Sequence, residues 1–262
     1  MSFEVNRVCP GVTHIRDAMG VCMTLIEGTQ AALLVDTGYG TEDVAAFVRT
    51  LTDKQLTVLL THNHHDHAMG SRWFDSTLMF AEDQDEWLVF NGEAKRRVVL
   101  GQAIGKGLDV TEAGFLAGEC SMPLPANKGK YDLGGMTAEV IPCPGHTPGS
   151  CVVYVPERKL LLTGDDWNPC TWLFFEAALP VCQYRENVSR LLALEFEHVL
   201  CSHQLDCFPR SKFEAFVNGL TDVALDASKP VTIGSYEHIN THQADVADGQ
   251  ILVFDWNKYK EV

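Results

Sequence analysis

A short apolar run, Thr57-Val58-Leu59-Leu60, leads directly into Thr61-His62-Asn63-His64-His65-Asp66-His67. This junction constrains the fold more than any other stretch of the chain. Four histidines and an aspartate crowd into residues 62–67. Core packing cannot account for them, because every buried imidazole or carboxylate needs a partner. Solvated His-rich tracts exist, but this cluster follows a predicted strand, and folds present functional groups at a strand's carboxyl end. At the end of an extended segment His62 and His64 point to the same side. Asp66 and His67 lie one short turn further, able to face a neighbouring ion. Neutral imidazole and carboxylate are preferred zinc ligands.

Strands are predicted on both sides of this junction. Val12–Arg16, residues 21–26 and Ala31–Val35 are short apolar-rich runs, with Gly28-Thr29-Gln30 as a turn. A helix is expected next, with Thr41 as N-cap, Glu42 and Asp43 in its first turn, and Val44, Phe47, Val48 and Leu51 on its buried side. A second β-rich half starts near Tyr131 and includes residues 137–141, Cys151–Val155 and Leu160–Leu162, with a turn at residues 156–159. Residues 184–195 and 211–225 have helical spacing, residues 198–201 read as a strand, and the tail from Val231 reads as strands. The chain is read as a single domain, 1–262, interrupted by a Gly-rich insertion over residues 82–130. A structureless loop of that length would be unusual. Trp87, Leu88, Val98, Val99 and Leu100 point to helices within it, which would serve as a lid or wall of the site, as a dimerisation element, or as packing.

The net charge of −15 argues against a nucleic-acid footprint, which needs clustered Lys and Arg. Anionic substrates stay open, because divalent cations would reverse the field of an acidic pocket. No stretch approaches the roughly 18 apolar residues of a membrane helix. The N-terminus has no basic stretch leading into an apolar run, so a cytoplasmic protein without membrane attachment is expected. The nine cysteines show no C-x-x-C pair and read as reduced, mostly buried thiols.

Further motifs carry a specific resemblance. His62-x-His64-x-Asp66-His67 resembles the H-x-H-x-D-H signature of the metallo-β-lactamase superfamily. Pro144-Gly145-His146-Thr147-Pro148-Gly149-Ser150 resembles its P-G-H-T-P-G-S turn, Thr163-Gly164-Asp165 its T-G-D strand end, and Asp36-Thr37-Gly38 its early D-T-G. Cys201-Ser202-His203 stands where many members have their final histidine. The resemblance spans roughly Val12 to His203. It implies an α+β fold, a four-layer αββα sandwich with two mixed sheets face to face and the metal site at one sheet edge. It also implies that His62, His64 and His146 hold one ion, that Asp66, His67 and His203 hold the other, and that Asp165 bridges them. Asp166 is the alternative bridging residue. His65 stands at a variable position and is left out as a ligand. Asp36 would hydrogen-bond a ligand or its loop, or else simply form the turn. His14, His198, His238 and His242 have no nameable partner in the sequence.

The function the resemblance implies is hydrolysis of a small-molecule ester, thioester or lactone. Two divalent ions, zinc with iron or manganese as alternatives, would bridge a hydroxide nucleophile, and Asp66 would guide the proton as the catalytic carboxylate. A phosphodiesterase and a non-catalytic relative that senses a metal or metabolite are the alternatives. True β-lactamases generally lack the bridging carboxylate seen here as Asp165, and lactonase relatives often carry a Tyr where this chain has Asp166-Trp167-Asn168. No G-x-S-x-G elbow is present, and Cys143, Cys151 and Cys201 lie near ligands but are weak candidates for a nucleophile. Trp167, Trp172, Leu173, Phe174 and Phe175 either line an apolar pocket or pack the core. Lys95, Arg96, Arg97 and Lys106 either hold an anionic group or form a solvated basic face.

Overall fold

The computed structural model describes residues 2–259. A seven-stranded sheet runs in chain order through Glu4–Cys9, Val12–Arg16, Cys22–Glu27, Ala31–Val35, Gln55–Leu59, Leu78–Met79 and Leu124–Pro125. Its first four strands form an antiparallel meander, and the last three join in parallel. A six-stranded sheet has the order Phe208–Pro209, His198–Leu200, Leu160–Leu162, Cys151–Val155, Thr137–Pro142, Gly129–Asp132.

Period-two alternation explains why these sheets stack. Along Ala31–Val35, Leu33 and Val35 enter the core between the sheets, where they meet Val140, Val153, Val155, Leu160 and Leu162 of the second sheet. Ala32 and Leu34 point the other way and are covered by Val44 and Val48 of the helix Val44–Leu51. Both faces of the strand are buried, so it reads as a continuous apolar run. On the far side Val152, Tyr154, Leu161 and Val199 are covered by Val181, Tyr184 and Val188 of the helix Val181–Arg190, and by Phe213 and Phe216 of the helix Arg210–Gly219. The result is the expected α+β sandwich: helix, sheet, sheet, helix. A four-stranded sheet, Cys170–Leu173, Gln250–Asp255, Thr241–Ala247 and Lys229–Pro230, joins the outer layer on that side.

Several boundaries differ from the expectation. The first helix is capped by Asp43, whose Oδ1 accepts from Ala46 N at 2.8 Å, so it starts after Thr41 and Glu42. The helix expected over 184–195 starts earlier, at Val181 behind Pro180, and ends in a tight turn at Leu191–Ala193. The helix expected over 211–225 is two helices, Arg210–Gly219 and Asp222–Asp226. A Cβ at Gly219 would stand 1.8 Å from the Val246 carbonyl oxygen, so the close approach of the strand Thr241–Ala247 requires glycine at the break. The strand Glu4–Cys9 had no sequence signal. Residues 231–240 form a loop before the tail strands begin. Among the described residues no helix is long and apolar enough to cross a membrane.

The loops that carry the motifs leave the strands at one end of the sandwich. Val35 and Leu59 are register partners in parallel strands, so Asp36 and Thr61 emerge side by side. Leu162 and Leu200 are partners in the other sheet, which brings Asp165 and His203 out together. The insertion contributes the helices Trp87–Asn91, Glu93–Gly105 and Glu112–Leu116. They pack over that end through Trp87, Val99, Leu100 and Phe115, against Leu60, Ala68 and Met69.

Candidate metal centre

Two groups of potential ligands lie side by side where these loops converge. His62, His64 and His146 form the first; Asp66, His67, Asp165 and His203 form the second, the donor atoms of each within 4.8 Å of one another. In the first, His64 Nδ1 lies 2.9 Å from His146 Nε2. In the second, Asp165 Oδ2 lies 3.0 Å from His203 Nε2 and 3.4 Å from His67 Nε2. The same oxygen is 3.7 Å from His146 Nε2, so Asp165 stands between the groups. All seven residues assigned to metal by the resemblance are thus brought together. His65 joins neither group; its ring meets Tyr39 edge-on at 5.6 Å. Asp166 points away and accepts from the His146 backbone N at 3.5 Å.

Hydrogen bonds fix which ring nitrogen each histidine offers. His146 Nδ1 donates to the Trp172 carbonyl at 2.6 Å, His67 Nδ1 to Asp36 at 3.0 Å, and His62 Nδ1 to Thr61 Oγ1 at 3.0 Å. Each bond leaves Nε2 turned into the site, where it can hold a metal ion, the arrangement that orients metal-binding imidazoles. Asp36 organises two of them. Its backbone is left-handed (φ 65°), a conformation Asp tolerates better than most residues. This turns its carboxylate back to accept from His67, Thr61 N and Thr61 Oγ1.

The electrostatics of the two groups are opposite. Burial and the neighbouring imidazoles push His62 and His64 well below the ordinary histidine range, so they stay neutral. Burial alone would raise the Asp165 carboxyl, but the charges of His203 and His67 hold it well below the usual carboxylate range. Burial opposes a proton on His67, yet Asp165, Asp66 and Asp36 draw one to it and raise it well above the ordinary value. The second group therefore demands positive charge, while the first offers bare lone pairs. His62 Nε2, His67 Nε2 and Asp165 Oδ1 are buried and hydrogen-bond to nothing. Orphaned donor atoms in this arrangement, all nitrogen and carboxylate oxygen, fit divalent metal ions.

Sequence reading missed Asp83, which lies in an acidic stretch resembling a solvated surface. It is 2% exposed. Its carboxylate accepts from Asn63 N at 3.1 Å, Thr147 Oγ1 at 2.8 Å and Gly149 N at 2.6 Å. It thereby ties the loop of His62 and His64 to the turn of His146. A Cβ at Gly149 would stand 2.6 Å from the Asp83 Cγ, so this contact requires glycine there. His14, without a nameable partner in the sequence, is buried between Thr24 Oγ1 at 2.8 Å and the Gln204 carbonyl at 3.0 Å.

The basic residues of the insertion neither hold a common anion nor form one solvated face. Arg96 is 5% exposed and donates to the carbonyls of Leu116 and Gly118. Arg97 pairs with Glu93 and Glu112, and Lys106 donates to the Met19 carbonyl. A cavity of about 510 Å³ opens over both ligand groups, with Tyr39, Phe90, Gln102, Asn168, Trp172 and Phe175 among its walls. Of the aromatic run, Trp172 and Phe175 reach this cavity, while Trp167, Leu173 and Phe174 are core.

The sequence profile of the metallo-beta-lactamase superfamily matches residues 17–82 and 125–165, stretches that hold six of the seven grouped residues, all but His203. A probable metallo-hydrolase of Bacillus subtilis strain 168, YqgX, is 26% identical over 141 residues, 51% of this chain and 59% of that protein. A probable metallo-hydrolase of Streptococcus pyogenes serotype M6 is 24% identical over 141 residues, 52% of this chain and 57% of its own length. The chain thus spans less than two thirds of either relative. Among solved structures, the sec-alkylsulfatase Pisa1 from a Pseudomonas species superposes with a TM-score of 0.65 at 15% identity, covering 85% of this chain and 42% of that one. A metallo-beta-lactamase from Pontibacter korlensis superposes with a TM-score of 0.59 at 18% identity, covering 84% and 100%. At those identities the likeness is one of fold.

Proposed function

Because this chain belongs to the metallo-β-lactamase superfamily, we propose that it is a metal-dependent hydrolase of a small-molecule ester, thioester or lactone that works with two divalent ions, zinc first among them. In this reading His62, His64 and His146 hold one ion, Asp66, His67 and His203 hold the other, and Asp165 spans both. The observation that carries it is the set of three orphaned buried atoms, His62 Nε2, His67 Nε2 and Asp165 Oδ1, within two ligand groups whose His64, His146, Asp66, Asp165 and His203 line a cavity. Bound there, paired cations supply the charge that polarises a scissile carbonyl and makes water acidic enough to attack near neutral pH.

The chain's own groups do the rest. Asp36, Thr61 and the Trp172 carbonyl hold His67, His62 and His146 in the tautomer that presents a lone pair. Asp66 takes the proton of the attacking water. Its Oδ2 is oriented by His67 at 3.5 Å and His203 at 3.8 Å, while Oδ1 turns toward His65 at 4.0 Å. Phe90 and Phe175 close against the His64 ring and exclude bulk water from that side. Thiol nucleophiles are not needed: burial raises the pKa of Cys143, Cys151 and Cys201, leaving them protonated. Such thiols suit a reducing cytoplasm.

The test is a screen of zinc-reconstituted protein over thioesters, lactones and phosphodiesters. Turnover of a carbonyl substrate that is lost on chelation and restored by zinc supports the reading. Turnover of bis(p-nitrophenyl) phosphate alone would move the protein to the phosphodiesterase class. A metal-loaded protein inert to every class would make it a binding protein instead.

A further inference from the structure

The cavity above the ligand groups has one wall built largely of aromatic rings. The strand Cys170–Leu173 alternates exposed and buried residues, so Thr171 and Leu173 serve the core while Cys170 and Trp172 face outward. Trp172 is 37% exposed, and its ring lies over the cavity. Phe175 follows, 6.2 Å from the Trp172 ring, and abuts His64 at 4.6 Å and His146 at 5.2 Å between centroids. Tyr236, on the loop ahead of the tail strands, stands 5.5 Å from Phe175, and Phe90 of the insertion meets His64 at 4.4 Å. Four aromatic rings from three separate segments thus converge beside the three-histidine group. A partly exposed cluster of large apolar rings in a cavity is a binding surface in want of an apolar partner.

Charge narrows the partner. Among the described residues lining the cavity there is no Lys or Arg; its remaining polar neutral groups include Gln102, Asn168 and Gln204. Lys95 directs its Nζ at the Phe90 ring, 5.8 Å from the centroid. The chain as a whole carries a net charge of −15. A second anionic group seated among the four rings would lie against aromatic carbon, with no Lys or Arg in the lining and Lys95 turned to the Phe90 ring, which is costly. The volume, about 510 Å³, suits a small organic molecule.

We propose that Phe90, Trp172, Phe175 and Tyr236 form the subsite for an uncharged, apolar acyl or aryl substituent, and that this protein selects neutral esters or thioesters over substrates carrying additional negative charge. The inference rests on the hydrolase reading above and adds the substrate class. The zinc-reconstituted protein is assayed on p-nitrophenyl acetate, butyrate and hexanoate, and on S-lactoylglutathione against a neutral alkyl thioester of lactate. The wild type gains about threefold in kcat/KM per added methylene, about eightyfold over the four methylenes from acetate to hexanoate. In Trp172→Ala and Tyr236→Ala, with metal content equal to wild type by elemental analysis, the hexanoate-to-acetate ratio falls below about threefold. The neutral thioester is preferred over the glutathione thioester. A flat chain-length series in the wild type, or preference for the glutathione thioester, overturns the proposal. A second readout does not depend on turnover: calorimetric titration with N-phenylacetamide and N-phenylhexanamide. If no ester is hydrolysed, the hydrolase reading fails by itself, and the amides decide the subsite. Tighter binding of the hexanamide that Trp172→Ala weakens upholds it; equal or absent binding of both amides overturns it.

Discussion

Replacing Asp83 by Asn tests the clamp between the two histidine loops and has a magnitude that can be worked out. Burial pushes the Asp83 carboxyl up to about 6 against its three hydrogen-bond donors. A carboxyl whose folded pKa is raised contributes stability that is fully present below the unfolded value and is lost as pH rises through the folded one. For Asp83 that window runs from 3.8 to about 6. The shift corresponds to about 3 kcal/mol. Asn keeps one carbonyl oxygen for Gly149 N but cannot also accept from Asn63 N, an orphaned buried donor that costs about 1–3 kcal/mol. Charges elsewhere titrate alike in both proteins and cancel in the difference. The stability advantage of wild type over Asp83→Asn should therefore shrink by about 3 kcal/mol between pH 4 and pH 7. Urea unfolding midpoints of both proteins, taken with chelator at half-unit pH steps, measure it. A difference constant across that range would show that Asp83 is ionised throughout, and the argument from burial would be wrong.

Other expectations are simpler. Elemental analysis after reconstitution should give about two ions per chain, the number set by the two ligand groups. Asp165→Ala should lose most of that metal and its turnover, whereas His65→Ala should keep both; equal losses would show the ligand assignment to be mistaken. His14 is held neutral by burial, with its pKa lowered to about 4. Its contribution is present above the unfolded value of 6.5 and is lost as pH falls toward about 4. Wild type should thus lose about 3 kcal/mol relative to His14→Gln over that interval, read from unfolding midpoints; parallel curves would refute it.

What could be read from the sequence was whatever local chemistry made conspicuous. Six positions dense in histidine had no packing explanation, and Ala31–Val35 and Cys151–Val155 declared themselves by apolarity because both faces are buried. Asp36 was legible as support for the site through its D-T-G motif, and the structure gives it the Thr61 N–H to accept. Asp83 was not, because an acid between Glu82 and Asp85 resembles surface until the chain folds it onto Thr147, some sixty residues away. Arg96 was illegible for the same reason: its neighbours Lys95 and Arg97 are not buried, while its own guanidinium is spent on backbone carbonyls. The break at Gly219 depends on a strand that arrives later in the chain.

The segment that walls the cavity is also rooted in the metal loops. Asp83 stands just ahead of the helices that carry Phe90 and Gln102, and Asn91 Nδ2 donates to the Asn63 carbonyl at 2.7 Å. Whatever reshapes this segment for a new substrate therefore pulls on the spacing of His62, His64 and His146. Selectivity and cation affinity are inherited together here. A chimera that swaps the segment is expected to keep its metal only if its joints leave Asp83 and Asn91 in place.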